Sequence, residues 1–155
     1  MGIPQEFDID LQILEQRYFI LQREFHPDRF AHQGGDEDAM SVAINQAYRI
    51  LKNPVFRAKA LLECAGCFIG ETENLSDISF LQDQWEWRER IEESTTPDDL
   101  DLIKNDLEKE FLAIQHVFSK AWIAKKSEQM LQIYRKLSYF SKALERVKEK
   151  SAQHY

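Results

Sequence analysis

Hydrophobic residues recur along the first part of the chain at helical spacing. Three or four residues separate successive members of this row, which are Leu11, Leu14, Tyr18, Leu21 and Phe25. A repeat of this kind places apolar side chains in one stripe on an α-helix. The pattern therefore predicts a helix over about 9–25, with Asp8 or Asp10 capping its start.

Two more helices are predicted before residue 66. The apolar positions of the second are Met40, Ala43, Ile44, Ala47, Ile50 and Leu51. This helix should begin near 36–38 and end by Asn53, because Pro54 cannot continue it. Pro54 suits the first turn of a third helix over 54–65, with Phe56 among its apolar positions and Gly66 at its end. The first two helices should form an antiparallel pair with residues 26–28 at its tip.

The second half of the chain predicts three longer helices. They cover about 79–93, 97–124 and 127–149, and Thr96-Pro97 is typical of a capped helix start. Their apolar stripes are Leu100, Ile103, Leu107, Ile114, Phe118 and Ala121 in one helix, and Met130, Tyr134, Leu137, Leu144 and Val147 in the next. Short links between long helices predict an antiparallel three-helix bundle.

The chain is therefore expected to be all-α, with an N-terminal helical hairpin and a C-terminal bundle. No run alternates apolar and polar residues convincingly enough to predict a strand. Residues 66–77, GCFIGETENLSD, have the composition of a linker. We expect one domain over 1–65 and another over 78–155.

Composition and charge narrow the classes of partner. The 155 residues are 43% hydrophobic and 30% charged, which is typical of a folded globular protein. A net charge of −7 argues against binding to a phosphate backbone, so no nucleic-acid partner is expected. No apolar run approaches the ~20 residues of a membrane span, and the acidic N-terminus does not resemble a secretion signal. We expect a cytoplasmic protein without a membrane partner.

His26, Pro27 and Asp28 directly follow the first predicted helix. Pro27 biases His26 away from helical dihedral angles, so the tripeptide should lie in a loop, where functional residues are common. His26 and Asp28 could form a general acid–base pair. They could equally be a chance loop sequence, because no nucleophile, glycine-rich phosphate loop or metal-ligand spacing accompanies them.

Cys64 and Cys67 have the C-x-x-C spacing of redox or zinc sites. A structural zinc site would need a second pair, and the chain has only these two cysteines. The simpler interpretation is that both are small buried side chains.

The tryptophans of the fourth helix predict an interaction anchor. Trp85 shares a helical face with four neighbours, which are Leu81, Gln82, Glu86 and Glu89. Trp87 lies well around the helix from Trp85, so one small bundle should not bury both. One of them is a candidate anchor for a partner, although both could instead be partly shielded within the fold.

Three motifs of the chain, two in its first half and one in its second, resemble those of a single protein family. The first runs from Arg17-Tyr18 through Arg23-Glu24-Phe25 to His26-Pro27-Asp28-Arg29-Phe30. The second is Ile44-Asn45-Gln46-Ala47-Tyr48, followed by Asn53-Pro54. The third, in the second half, is Phe80-Leu81 with Glu86 and Glu89, and Arg135-Lys136-Leu137 follows it. The first two motifs resemble a J-domain, and more narrowly that of the HscB (Jac-type) co-chaperones of iron–sulfur cluster assembly. The third resembles that family's C-terminal signature, and Arg135-Lys136-Leu137 resembles its last helix.

The resemblance implies two partners and no chemistry in this chain. The J-domain would dock on an HscA-like chaperone and stimulate its ATPase through His26, Pro27, Asp28, Arg17, Arg23 and Arg29. The bundle would hold an IscU-like scaffold protein through Leu81, Gln82, Trp85, Glu86, Glu89 and Tyr139. Gln82 departs from the usual apolar residue, and Trp85 replaces a smaller aliphatic one. The protein would not be an enzyme and would need no cofactor or metal.

The start of the chain departs from the family pattern. Family members begin with a short aromatic helix, whereas Met1-Gly2-Ile3-Pro4 stands here, so the first J-domain helix is expected to be missing. Its absence should loosen the J-domain, or leave a gap that a neighbouring chain fills. An alternative function is also open, namely a J-domain interaction module that serves another client and has no cluster role.

Overall fold

The computed structural model describes residues 1–25, 36–67 and 78–153, with the side chains of 36–38 excepted. Within these ranges the chain forms six α-helices and no strand, which confirms the all-α prediction. The chain divides into two compact units, Met1–Ala65 and Gly66–Tyr155.

The first unit contains three helices, α1 (Leu11–Glu24), α2 (Asp36–Lys52) and α3 (Pro54–Cys64). Asp10 caps α1, since its Oδ1 accepts hydrogen bonds from the backbone N–H groups of Gln12 at 2.8 Å and Ile13 at 3.2 Å. Asn53 caps α3 in the same way, with Pro54 in its first turn. After α3, Gly66 adopts a φ of 76°, the left-handed conformation that commonly ends a helix.

Polar and aromatic side chains join α1 to α2. Tyr18 and Gln22 both donate hydrogen bonds to the Oδ1 of Asn45, at 2.8 and 2.9 Å. The Tyr18 ring stacks on Tyr48 with the ring centroids 4.1 Å apart. These contacts hold the two helices of the predicted hairpin together.

The segment before α1 contains no helix, and it buries one aromatic ring. Phe7 is only 1% exposed. The guanidinium of Arg57 lies over the Phe7 ring at 5.0 Å, and its Nη1 donates to the backbone oxygen of Leu51. Burial lowers the pKa of Arg57, an effect that the Asp8 carboxylate opposes. Arg57 thus connects the N-terminal segment to the end of α2.

The apolar stripe of α1 is only partly covered. Leu14 is fully buried, whereas Leu11, at the start of the helix, is half exposed. Three predicted apolar positions elsewhere in this unit are also exposed, and one of them is Ala43 of α2. Met40 lies in the second turn of α2, before the buried Ile44, and is exposed. Phe56 is 40% exposed, and the guanidinium of Arg49 lies 5.7 Å from the centroid of its ring.

The second unit is a bundle of α4 (Ile78–Glu93), α5 (Pro97–Ile123) and α6 (Ser127–Ala152). Thr96 caps α5, accepting a hydrogen bond from the Asp99 N–H at 3.1 Å. The core cluster comprises Phe80, Ile91, Leu100, Ile103, Leu107, Phe140, Ala143 and Val147. The predicted stripes of α5 and α6 supply much of this cluster, which confirms the bundle.

The C-terminal end of α4 is held by a lysine from α6. Lys150 Nζ donates hydrogen bonds to the backbone oxygens of Ile91 at 2.6 Å and Glu92 at 2.8 Å. The last carbonyl groups of a helix have no partner within that helix, and a cation also complements the negative end of its dipole. Lys150 therefore terminates α4 and ties it to α6.

Candidate partner-binding faces

One face of α4 is open to solvent although it carries large apolar side chains. Leu81 is 46% exposed and Trp85 is 63% exposed. At 3.6 residues per turn, the five predicted α4 contact residues fall within about 140° around the helix axis. All five are exposed, namely Leu81, Gln82, Trp85, Glu86 and Glu89. We call this surface the α4 face.

The two tryptophans of α4 have different surroundings. Trp87 is half-buried and packs edge-on against Phe140, with the ring centroids 6.1 Å apart. The guanidinium of Arg90 also lies over the Trp87 ring, 4.5 Å from its centroid. Trp85 points away from the core, and no aromatic or cationic group among the described residues stacks on its indole. Trp85 is therefore the tryptophan available to a partner.

Ile78 extends the α4 face by one turn, and the sequence reasoning missed it. It is 72% exposed and lies three residues before Leu81 and seven before Trp85. That spacing puts all three apolar side chains in one row. The signal was present in the sequence, because the row 78, 81, 85 follows the same rule that predicted the buried stripes.

Tyr139 is the only predicted scaffold-contact residue that is not exposed. It is half-buried, and its hydroxyl donates a 2.8 Å hydrogen bond to the backbone oxygen of Gln84 in α4. Its ring packs edge-on against Phe80 and Phe140. Burial raises the pKa of the Tyr139 hydroxyl, and the positive charges of Arg146 and Arg88 oppose this increase. Tyr139 thus supports the middle of α4 from α6.

The second half of the α4 face is charged. Arg88 Nε donates to Glu92 Oε1 at 2.8 Å, and both side chains are mostly exposed. This one hydrogen bond lowers the pKa of the Glu92 carboxyl and raises the pKa of the Arg88 guanidinium. A groove of about 380 Å³ lies alongside, lined by Trp85, Arg88, Glu89, Glu92 and Glu93.

The predicted chaperone-binding residues fall into two groups. His26, Pro27, Asp28 and Arg29 lie outside the described residues. Arg17 and Arg23 are exposed on α1. Being six residues apart, they lie about 120° from each other around the helix axis, so they flank the solvent side instead of forming one row. Arg17 Nη1 also donates to the Met1 backbone oxygen at 3.1 Å.

The cysteine pair shows no sign of a metal centre. Neither cysteine forms a disulfide bond, and Cys64 is exposed whereas Cys67 is half-buried. The interpretation of Cys64 as a small buried side chain is therefore wrong, because it is the last residue of α3 and faces solvent. Across 1–25, 36–67 and 78–153, no three His, Cys, Asp or Glu side chains are grouped closely enough to hold a metal ion. In the same ranges no helix has the length and apolar character needed to cross a membrane.

Comparison with known proteins identifies the family. Residues 76–148 match the family model described as the HSCB C-terminal oligomerisation domain. A co-chaperone protein HscB homolog of Neisseria meningitidis is 40% identical over 130 residues, covering 76% of this chain and 78% of that relative.

Two solved structures have the same fold. The chaperone HscB of Vibrio cholerae has a TM-score of 0.86 at 26% identity, covering 99% of this chain and 96% of that one. Human co-chaperone protein HscB has a TM-score of 0.90 at 29% identity, covering 97% and 79%. The resemblance found in the sequence is thereby confirmed, and the chain belongs to the HscB family of co-chaperones.

Proposed function

We propose that this protein stimulates the ATPase of an HscA-like chaperone and delivers to it an IscU-like scaffold of iron–sulfur cluster assembly. The two activities are assigned to different units, the first to the J-domain hairpin and the second to the α4 face. The chemistry takes place in the partner, so this cytoplasmic co-chaperone acts by contact and carries no catalytic residue of its own.

The observation that carries this proposal is the exposed α4 face. It lies within the part of the chain that matches the HscB family model, residues 76–148. Leu81 and Trp85 present apolar surface there, beside the exposed carboxylates of Glu86 and Glu89. A large aromatic residue surrounded by polar groups is a common binding hot spot. This combination supports a protein partner at the α4 face.

On the other unit, the support comes from the α1–α2 hairpin. Arg17 and Arg23 are exposed on α1, the helix that leads into the His26-Pro27-Asp28 tripeptide. Exposed guanidinium groups attract an acidic partner surface and speed its association. The tripeptide then makes the contact by which the ATPase is biased toward its active state. Arg29, directly after it, is proposed to assist.

A pair of histidine variants tests the chaperone activity. His26→Gln should abolish stimulation of an HscA-like ATPase, measured as steady-state ATP hydrolysis, while leaving scaffold binding unchanged. His116→Gln is the matched control, because His116 is exposed on α5 in the other unit. Equal stimulation by both variants would contradict the role of the tripeptide.

A pair of leucine variants tests the scaffold activity. Leu81→Ala should weaken the binding of an IscU-like scaffold about tenfold in calorimetric titrations, which is the scale of a buried interface anchor. Leu102→Ala, on the exposed surface of α5, removes the same atoms elsewhere and should bind normally. Normal ATPase stimulation without any scaffold binding would instead favour the alternative of a J-domain module for another client.

A further inference from the structure

The α4 face combines apolar and acidic surface. Its apolar side chains are followed by an acidic groove, which the exposed indole of Trp85 helps to line. Between Ile78 and Glu93 the sequence has five carboxylates and two arginines. Arg90 is turned away from the groove, since it contacts the Trp87 ring and pairs with Asp106 at 3.0 Å. Arg88 is therefore the one cation among the residues that line the groove.

Trp85 and the carboxylates offer two complementary attractions to a positive charge. An indole face attracts a cation held within about 6 Å of it, most strongly when water is excluded. Glu89, Glu92 and Glu93 provide carboxylate acceptors in the same groove. Arg88 already occupies one of them through its 2.8 Å contact with Glu92. The residues that line the groove carry a net negative charge, and the groove has room for a long side chain. Arg146 and Lys150 of α6 also lie near enough to Glu92 to lower its pKa, but they are not among the lining residues.

Charge also decides between the possible occupants of this surface. An anionic lipid surface would be repelled by the carboxylates. A second copy docked through the same face about a twofold axis would place these carboxylates opposite one another, which is unfavourable. A partner that presents a cation beside an apolar side chain complements both parts of the face, because the cation fits the acidic groove and the apolar side chain packs on the apolar row. The apolar part would cover Ile78, Leu81 and Trp85.

We propose that the groove beside Trp85 receives a lysine or arginine side chain of the scaffold protein, with Arg88 holding the place of that cation in the free protein. This inference rests on the proposed scaffold-binding function. It adds to that function the chemical nature of the partner residue and the role of Arg88. It also assigns Glu92 and Glu93 to the interface, together with Ile78 at its opposite end.

The proposal predicts that substituting the two members of one ion pair changes the scaffold affinity in opposite directions. Glu92→Gln removes an acceptor and leaves Arg88 unpaired in the groove, so scaffold affinity should fall about two- to fivefold, the usual range for an exposed ion pair. Arg88→Gln frees the Glu92 carboxylate for the incoming cation, so affinity should rise about twofold. A merely structural ion pair would give losses, or no change, in both variants.

Two substitutions on α5 provide matched controls. Lys104 and Glu108 form an exposed i,i+4 pair like that of Arg88 and Glu92, but away from the groove. Lys104→Gln and Glu108→Gln therefore change the net charge equally and measure its general effect on affinity. The groove variants must differ from these controls in the stated directions.

The experiment is calorimetric titration of an IscU-like scaffold into each full-length variant at low and moderate salt. Support requires weaker binding by Glu92→Gln, tighter binding by Arg88→Gln, and a shallower salt dependence for Glu92→Gln. If Leu81→Ala weakens binding while the groove variants match their controls, the inference is wrong and the proposed function stands. If the unaltered protein does not bind the scaffold, the proposed function fails, and the inference fails with it.

Discussion

The hydroxyl of Tyr18 on α1 lies 2.8 Å from the Oδ1 of Asn45 on α2, which also accepts a hydrogen bond from Gln22. One amide oxygen thus joins two residues of the neighbouring helix. Asn45→Ala removes both bonds and should lower the opening free energy of α1 and α2 by about 1 kcal/mol, since each net contribution is modest. Amide hydrogen exchange along these helices measures the effect.

Asn105→Ala provides the control for that measurement. Asn105 is an exposed asparagine in α5, and alanine there brings the same gain in helix propensity. We expect Asn105→Ala to stabilise its own helix slightly. Equal changes at positions 45 and 105 would mean that the bonds to Asn45 contribute nothing to the hairpin.

Burial of Phe7 predicts that the segment before α1 is part of the stable unit. Phe7→Ala should lower the free energy of unfolding by about 3–5 kcal/mol, because a buried aromatic ring is lost and a cavity remains. It also removes the ring beneath the guanidinium of Arg57. Urea denaturation followed by circular dichroism measures this. Phe19→Ala, at an exposed position of α1, should cost far less; similar losses would show that Phe7 is not a core residue.

The contact of Lys150 with the end of α4 predicts a stability effect from an apparently ordinary surface lysine. Lys150→Met keeps most of the aliphatic side chain but removes both hydrogen bonds to the carbonyl groups of Ile91 and Glu92. We expect a loss of about 1–2 kcal/mol in the free energy of unfolding. Lys148→Met, at an exposed position of the same helix, is the control. Indistinguishable urea midpoints would refute the assignment.

The ion pair of Arg88 and Glu92 predicts a pH dependence with a definite sign. Arg88 holds the pKa of Glu92 below its usual range, so the pair stabilises the fold above the ordinary glutamate pKa. That contribution is lost as the pH falls through the lowered value. Arg88→Gln should return the Glu92 pKa upward, as measured by nuclear magnetic resonance titration of its carboxyl carbon. Lys104→Gln should leave it unchanged, and an unmoved midpoint in Arg88→Gln would contradict the pairing.

The fold class and most helix bounds could be predicted from helical periodicity, because each apolar stripe is encoded in one short stretch of sequence. The predicted residues Leu100, Ile103 and Leu107 are buried in the core cluster. Phe7 was missed because it lies outside any periodic element. The burial of Arg57 was not predicted, because an arginine in a helix is expected to be exposed. Here its guanidinium is buried against the Phe7 ring and donates a hydrogen bond to the backbone oxygen of Leu51.

Contacts between residues far apart in the sequence limit how much of the candidate site could be predicted. The α4 face was predictable as a row, but Lys150 and Tyr139 reach α4 across more than fifty residues of chain. No local spacing encodes such bonds. Which of the two tryptophans faces the core could have been predicted from the sequence. Trp87 lies seven residues after the buried Phe80 and four before the buried Ile91. That spacing puts Trp87 on the core side.

The contrast between Trp85 and Trp87 gives the protein a built-in optical reporter. Two indoles separated by one residue sit in different media, one mostly in water and the other against Phe140. A collisional quencher such as iodide reaches the first more readily than the second. A partner that covers the α4 face would shift the emission of Trp85 to shorter wavelength and shield it from quenching, with no added label.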